Sequence, residues 1–264
     1  MRSDRDLIVV CCVLSVALLV ACGPGGPKVD PAVEAEWTWL TESKEKLDGL
    51  RAELAGVQKA LQTADPETSG EEGEAGGETV EAMTAKAETL EGEVANLTDE
   101  FGTRLVTFLN DPSNQMIEGE PLTERQSAAI RMKSSEDIAL AAEYIEKGGD
   151  YRRAIDILTT SLQLDPDNTK VQAALETATS NRYMSEERFA GVKKGMSQTE
   201  VREVLGQVNL RNIREYPDRN VVAWFYATAE GGAAAAVWFR EDKKSGERVA
   251  YQIKYDAVEG AGGG

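Results

Sequence analysis

Two runs of apolar residues at coiled-coil spacing, separated by a stretch unsuited to a helix, limit how the N-terminal half of this chain can fold. Residues 65–78 hold one proline, four glycines and six acids, a composition typical of a solvated loop. On either side, apolar residues recur three and four positions apart, which predicts two helices that each bury one stripe. The first stripe is Leu47, Leu50, Leu54, Val57 and Leu61, and the second is Val80, Met83, Ala87, Leu90, Val94, Leu97, Phe101, Leu105 and Phe108.

The two stripes are out of register with each other. Heptad steps from the first stripe would place apolar residues at positions 78 and 82, whereas the chain has them at Val80 and Met83. One continuous rod is therefore not expected. The pattern favours an antiparallel helical hairpin, residues 36–63 against 79–109, closed by the acidic loop. Pairing of each arm with another copy of the chain, giving a homo-oligomer through a coiled coil, stays open as the alternative.

Residues 121–187 predict a small helical unit. Thr123 and Gln126 form a capping box that starts a short helix ending near Lys133. The segment from Ser135 to Asn168 resembles a tetratricopeptide repeat. The resemblance is carried by the turn Gly149-Asp150-Tyr151, the small residues Ala142 and Ala154, Ile155, Leu162, and the terminating run Leu164-Asp165-Pro166-Asp167-Asn168.

A single repeat of this kind needs neighbours to cover its apolar faces. Helices at 122–133 and 169–187 are expected to supply them. In the repeat family the first helix lines a concave groove, so the resemblance implies an acidic groove that suits a basic or mixed peptide. The alternative is that these are ordinary solvated helix positions. The residues concerned are Glu136, Ala139, Glu143, Glu146 and Lys147.

Residues 188–256 predict a separate α+β domain. Ser197 and Glu200 form a second capping box, and Gly206 ends the helix that follows it. Four strand-like runs come next, and two helices on one face of an antiparallel sheet would complete the fold. The strand-like runs are residues 210–216, 221–227, 235–240 and 249–255.

Side-chain alternation in the second of these strands assigns its faces. Val222, Trp224 and Tyr226 share one face, and Phe225 points to the other. Because helices are expected on one face alone, the three-residue set is assigned to the core and Phe225 to the open face. By the same alternation Trp238 joins Phe225, which makes both aromatic residues candidate partner-binding positions.

This C-terminal segment resembles the SmpA/OmlA family, the small lipoprotein subunit of the outer-membrane β-barrel assembly machinery. The resemblance covers about 65 residues and implies a domain that docks onto a larger envelope assembly. Val208 departs from it, standing where proline usually follows Leu-Gly. The matching residues are Gly195-Met196-Ser197, Val201, Leu205-Gly206, Trp224-Phe225-Tyr226 and Val237-Trp238-Phe239.

The first 35 residues predict a lipid anchor and a tether. The apolar run from Leu7 to Val20 suits a signal-peptide core, and Leu19-Val20-Ala21-Cys22 resembles the lipobox of bacterial lipoprotein precursors. The resemblance implies a signal peptide over 1–21, lipidation of Cys22 and a flexible tether over 22–35. Gly23 and Pro24 favour the outer membrane, facing the periplasm. The alternative is an ordinary signal peptide or a short membrane anchor whose cysteine is incidental.

The composition limits the kinds of catalytic and metal site that this chain can form. The chain has no histidine, its cysteines are Cys11, Cys12 and Cys22, and its net charge is −17. Ser-His and Cys-His catalysis and the usual zinc sites are excluded, so neither a catalytic residue, a cofactor nor a metal is expected. So acidic a chain is a poor ligand for nucleic acid.

The combined expectation is an α+β protein: lipoprotein signal, α-helical hairpin, tetratricopeptide-like unit, two-helix plus antiparallel-sheet domain, and a disordered tail over 257–264. Its expected function is that of a non-catalytic, lipid-anchored periplasmic scaffold or assembly factor working through protein contacts. The alternatives are a structural envelope protein that oligomerises through its hairpin, and a hydrolase that uses paired carboxylates.

Overall fold

The computed structural model describes residues 30–64, 79–117 and 119–258. The signal peptide, Cys22 and the acidic loop 65–78 lie outside these described residues. Within them the chain is mixed α and β, with helices first and an antiparallel sheet at the C-terminal end. The elements are α1 Pro31–Thr63, α2 Val80–Leu109, α3 Glu124–Gly148, α4 Tyr151–Leu164, α5 Thr169–Asn181, α6 Glu186–Phe189, α7 Gln198–Leu205, β1 Ile213–Tyr216, β2 Val221–Ala227, β3 Ala234–Glu241 and β4 Arg248–Val258.

Helix α1 begins five residues earlier than expected, so residues 31–35 are not part of a tether. The side chain of Asp30 accepts a hydrogen bond from the backbone nitrogen of Ala32 at 2.9 Å, and Pro31 occupies the first helical position. An Asp-Pro pair is a strong helix start because the aspartate caps free amides and proline needs no amide partner there. The glycine- and proline-rich composition before residue 34 favours a flexible tether, and it led to a predicted tether that extends past the true start of α1.

Helices α1 and α2 form the predicted antiparallel hairpin. The start of α1 meets the end of α2 where Glu36 pairs with Arg104 at 2.6 Å, and the end of α1 meets the start of α2 where Gln58 donates to Glu91 at 3.0 Å. The predicted stripes face each other, and seven of their residues are buried between the arms. These are Leu47, Val57, Ala87, Leu90, Phe101, Leu105 and Phe108. Leu40, one heptad before the predicted start of the first stripe, is buried as well.

Helix α3 is continuous, contrary to the expected break near Lys133. Ser134 is buried, and its hydroxyl donates to Asp165 at 3.3 Å instead of capping a new helix. With neither proline nor glycine at this point, nothing interrupts the backbone hydrogen bonds. The first half of α3 packs on the hairpin through Ala129. The second half packs on α4 through Ala141, so α3 belongs to both units.

The turn between α3 and α4 is the predicted one. Gly149 ends α3 in a left-handed conformation, and the side chain of Asp150 caps α4 by accepting from the amide of Arg153. Ala154 is fully buried, as expected, but its small partner is Ala141, whereas Ala142 is half-buried.

Helix α5 ends at Asn181 instead of continuing to residue 187. The chain leaves the helix to join the sheet domain, where the amide of Met184 donates to the carbonyl of Ala227 at 2.7 Å. Because Met184 lies beyond the end of α5, its amide has no carbonyl partner in the helix, and the carbonyl of Ala227 supplies one.

The sheet is a four-stranded antiparallel meander in the order β1-β2-β3-β4. Residues 210–212, expected to open the first strand, form a turn of 3₁₀ helix. Strand β4 runs to Val258, which pairs with Ala234, so residues 257 and 258 belong to the sheet and not to a tail. The predicted inner face is confirmed: Val222, Trp224 and Tyr226 are buried against the helices. They share this core with Phe189, Val201, Leu205, Val208, Val237 and Phe239.

Candidate docking surface

The sheet face turned away from α6 and α7 carries a pair of aromatic rings. The centroids of Phe225 and Trp238 are 6.0 Å apart and their planes meet at 77°, an edge-to-face arrangement. Both side chains are half-buried. Their predicted placement on this face is therefore confirmed, although a partner-binding role remains a prediction.

Two alanines explain how the rings lie. In the strand register Ala223 stands opposite Trp238, and Phe225 stands opposite Ala236. Both alanines are fully buried although they belong to the outer face. Their small side chains let the larger rings lean over them, and an edge-to-face pair of this kind contributes about 0.5–1.5 kcal/mol beyond its buried area. The pair is thus held in one geometry before any partner arrives.

Three cations occupy the same face. Arg214 stands opposite Ala223 on β1, Lys254 stands opposite Ala236 on β4, and Arg240 follows Trp238 by two residues on β3. Neighbouring strands lie about 4.8 Å apart, so these three residues flank the aromatic pair in the sheet. The guanidinium of Arg214 donates to the carbonyl oxygens of Arg211 and Ile213, and that of Arg240 lies 5.0 Å from the ring centre of Tyr251. In the described part of the chain, none of the three has a carboxylate within 4.0 Å.

Sequence reasoning missed these cations. The cations come from β1, the end of β3 and β4, which lie far apart in the sequence. Alternation gave the face of each residue within its own strand. The neighbours across strands depend on register, which the sequence pattern left open.

Glu136, a predicted groove residue, instead forms an ion pair with the hairpin. Its carboxylate oxygens accept from both terminal nitrogens of Arg51 on α1, at 3.0 and 2.7 Å, and Lys44 lies 3.7 Å away. The Glu136 side chain is 12% exposed. The expectation that it lines an open groove is wrong because the hairpin covers this part of α3.

The other predicted groove residues remain at the surface. Glu143 and Lys147 pair at 2.8 Å, with the Lys147 side chain 79% exposed, and the hydrogen bond to Glu143 raises the pKa of Lys147. Glu146 is exposed. Glu143 and Lys147 line a small cavity with Leu140, Tyr144, Gly148 and Leu210. Phe225 lines a different cavity, so the two predicted partner-binding sets do not form one site.

Among the described residues no group of three or more His, Cys, Asp or Glu side chains is arranged to hold a metal ion. The helices of residues 30–64, 79–117 and 119–258 are each too short or too polar to cross a membrane.

Comparisons with protein-family models, curated proteins and solved structures gave no match.

Proposed function

We propose that this protein is a lipid-anchored scaffold or assembly factor at the periplasmic side of the outer membrane, and that it acts through protein contacts without catalysis. The observation that carries the proposal is the half-exposed pair Phe225 and Trp238 with Arg214, Arg240 and Lys254 around it. Aromatic residues and arginine are enriched where proteins bind one another.

The chemistry of this face indicates the kind of partner. A protein segment that presents an apolar side chain beside carboxylates would cover the rings and pair with the three cations. The face stands out because the chain as a whole carries a charge of −17. Neither nucleic acid nor a cofactor is part of the proposal.

The lipobox-like run ending at Cys22 supports the anchor, and the SmpA/OmlA resemblance of the C-terminal segment supports a place beside the outer-membrane assembly machinery. Cys22→Ala should abolish metabolic labelling with a radioactive fatty acid and leave the protein as an uncleaved precursor or in a soluble form. Labelling that persists in this variant would contradict lipidation at Cys22.

The docking role is tested by Phe225→Ser. We expect this variant to stay folded, with a small fall in melting temperature from the missing ring pair, and to lose the proteins that co-purify with the wild type after crosslinking in the native envelope. Val106→Ser on α2 is the matched control, since Val106 is 43% exposed and lies away from the sheet. Unchanged co-purification with Phe225→Ser would overturn the docking role of this face.

A structural protein that oligomerises through the hairpin is the second candidate. One observation favours it: at the far end of the hairpin, Leu50, Leu54, Leu61 and Met83 are only partly buried around Val57, Ala87 and Leu90. Sedimentation velocity on wild type and Leu54→Gln distinguishes the two functions. A wild-type oligomer that dissociates in the variant would favour the structural role.

A further inference from the structure

A cleft of about 360 Å³ lies where the helical unit meets the sheet domain. One wall is the turn between α3 and α4, another is the segment after α5, and the floor includes the end of β2. Residues 207–212 and the turn between β2 and β3 complete the rim. The volume is within the range of small-ligand sites.

Arginines dominate the charge of this cleft. Arg152, Arg182 and Arg211 line it together with the acids Asp150 and Glu230. Glu230 pairs with Arg182 at 3.4 Å, and Asp150 caps α4. Within the described residues, Arg152 and Arg211 have no carboxylate within 4.0 Å. Two guanidinium groups are therefore available to an anion.

Arg182 and Tyr183 contact each other at the edge of the cleft. The guanidinium of Arg182 lies 4.9 Å from the centre of the Tyr183 ring, and the Tyr183 hydroxyl is shielded from solvent, so it is not open to a ligand in the cleft. Because Arg182 is held by this ring and by Glu230, the guanidinium groups open to an anion are those of Arg152 and Arg211.

Helix α4 adds to the positive potential. It begins at Tyr151 and runs for 14 residues, and Tyr151 and Arg152 of its first turn line the cleft. The N-terminal end of a helix carries partial positive charge and exposes amide groups to a ligand. The carboxylate of Asp150 offsets part of this positive charge. The cleft therefore suits a ligand with a single negative charge better than a dianion such as phosphate.

We infer that the cleft binds a carboxylate group through Arg152 and Arg211. Planar guanidinium groups match the two oxygens of a carboxylate. Phe225 and Tyr151 provide aromatic surface beside these groups, so the carboxylate belongs to a ligand that also has an apolar part. A peptide C-terminus, an acidic side chain next to an apolar residue and a small organic acid share this chemistry.

This inference does not rest on the proposed function. Phe225 borders both the docking face and the cleft. Trp238 belongs to the docking face and does not line the cleft, whereas Arg152 and Arg211 line the cleft. Trp238→Ser therefore tests the docking face without altering the cleft, and Arg152→Gln and Arg211→Gln test carboxylate binding without altering the aromatic pair.

Titration calorimetry on the full chain in a non-ionic detergent tests the inference. The main probe is the peptide N-acetyl-Gly-Leu-Phe with a free C-terminal carboxylate, compared with its C-terminal amide. We expect the acid to bind at least about tenfold more tightly than the amide, because the amide lacks the charge that the guanidinium groups recognise.

Two further probes identify the source of the carboxylate. Tighter binding of N-acetyl-Gly-Glu-Phe-amide than of the C-terminal acid would assign the cleft to an acidic side chain, and tight binding of acetate alone would assign it to a small acid. Each of these results supports the site. Inorganic phosphate binding more tightly than every carboxylate probe, or no binding of any probe, would overturn it.

Variants separate the cleft from general charge effects. Arg152→Gln and Arg211→Gln should each weaken binding of the best carboxylate probe about tenfold without lowering the melting temperature. Arg219→Gln is the matched control, since Arg219 is exposed in the turn between β1 and β2. Equal binding by the Arg152→Gln/Arg211→Gln double variant and the wild type would overturn the proposal.

Discussion

The side-chain amide of Asn209 donates a hydrogen bond to the carbonyl oxygen of Gly149 at 3.3 Å. The two segments lie so close that a Cβ atom at position 149 would be 2.6 Å from the backbone nitrogen of Asn209. Gly149 also has a φ of 60°. Glycine is therefore required at position 149 for two reasons. It adopts the left-handed conformation of the turn between α3 and α4, and it leaves space for the close contact between the helical unit and the sheet domain.

Gly149→Ala should destabilise the protein by about 2–4 kcal/mol, because left-handed backbone strain and overpacking against Asn209 act together. Urea denaturation followed by circular dichroism measures the change. Gly246→Ala is the control: its φ is 74° but no atom lies within 4 Å of the added Cβ, so about 1–2 kcal/mol is expected. Equal losses in the two variants would mean that the joint tolerates a side chain.

Ser161→Ala should stabilise the protein by about 1 kcal/mol, because it removes a buried hydroxyl without a partner. Ser161 is 1% exposed, and its oxygen has no hydrogen bond among the described residues. Ser134→Ala is the matched control, since Ser134 is equally buried but donates to Asp165. Thermal melting should rise for the first variant and fall for the second, and a fall for both would contradict the assignment.

Glu36→Gln should lower stability at neutral pH by about 0.5–1 kcal/mol, the range for a partly exposed ion pair. Arg104 donates to both carboxylate oxygens of Glu36, at 2.8 and 2.6 Å, and its guanidinium lies 3.6 Å from the ring centre of Trp39. The hydrogen bonds from Arg104 lower the pKa of Glu36.

Because the folded pKa lies below the ordinary value of 4.5, this stabilisation is present above that value and is lost as the pH falls through the folded pKa. Urea midpoints of wild type and Glu36→Gln should therefore differ at pH 7 and converge in acid. Glu100→Gln, which removes a single, more exposed contact with Arg104 at 3.2 Å, should change stability less. A difference that persists undiminished in acid would rule out the ion pair as its cause.

The buried hydroxyl of Tyr226 should make the protein less stable at alkaline pH. Burial raises the pKa of this hydroxyl, which donates to the carbonyl of Gly206 at 3.3 Å. Above about pH 10 the unfolded chain loses this proton while the folded protein keeps it, so stability falls as pH rises. Tyr226→Phe should flatten the dependence of the urea midpoint on pH in this range, and Tyr251→Phe on the outer face is the control. Identical slopes in wild type and Tyr226→Phe would contradict the prediction.

Local rules accounted for much of the fold. The out-of-register stripes predicted the hairpin because an apolar stripe must be buried and the glycine-rich acidic segment cannot continue a helix. The capping boxes at Thr123 and Ser197 formed as expected, since they depend on residues three apart. Alternation in β2 gave the buried and open faces, because successive side chains of a strand point in opposite directions.

Expectations were wrong where distant parts of the chain decide the outcome. Glu136 was assigned to an open groove from its helical position, but Arg51, 85 residues earlier, pairs with it. The break expected near Lys133 did not occur because no proline or glycine interrupts the helix there, and Ser134 is buried with its hydroxyl donating to Asp165. The start of α1 at Pro31 was also predicted wrongly, but for a local reason. Asp30 and Pro31 are a typical helix start, and the glycine- and proline-rich residues before them favoured a tether instead.

The sequence by itself determined the helices of the hairpin, the small antiparallel sheet and the faces of its strands, because spacing, caps and alternation act over a few residues. Only the tertiary structure decided that Phe225 meets Trp238 among three cations, that Glu136 is covered by Arg51, and that three arginines line one cleft with Tyr183. These arrangements depend on strand register and on which helix packs against which, and both are set by long-range burial instead of local preference.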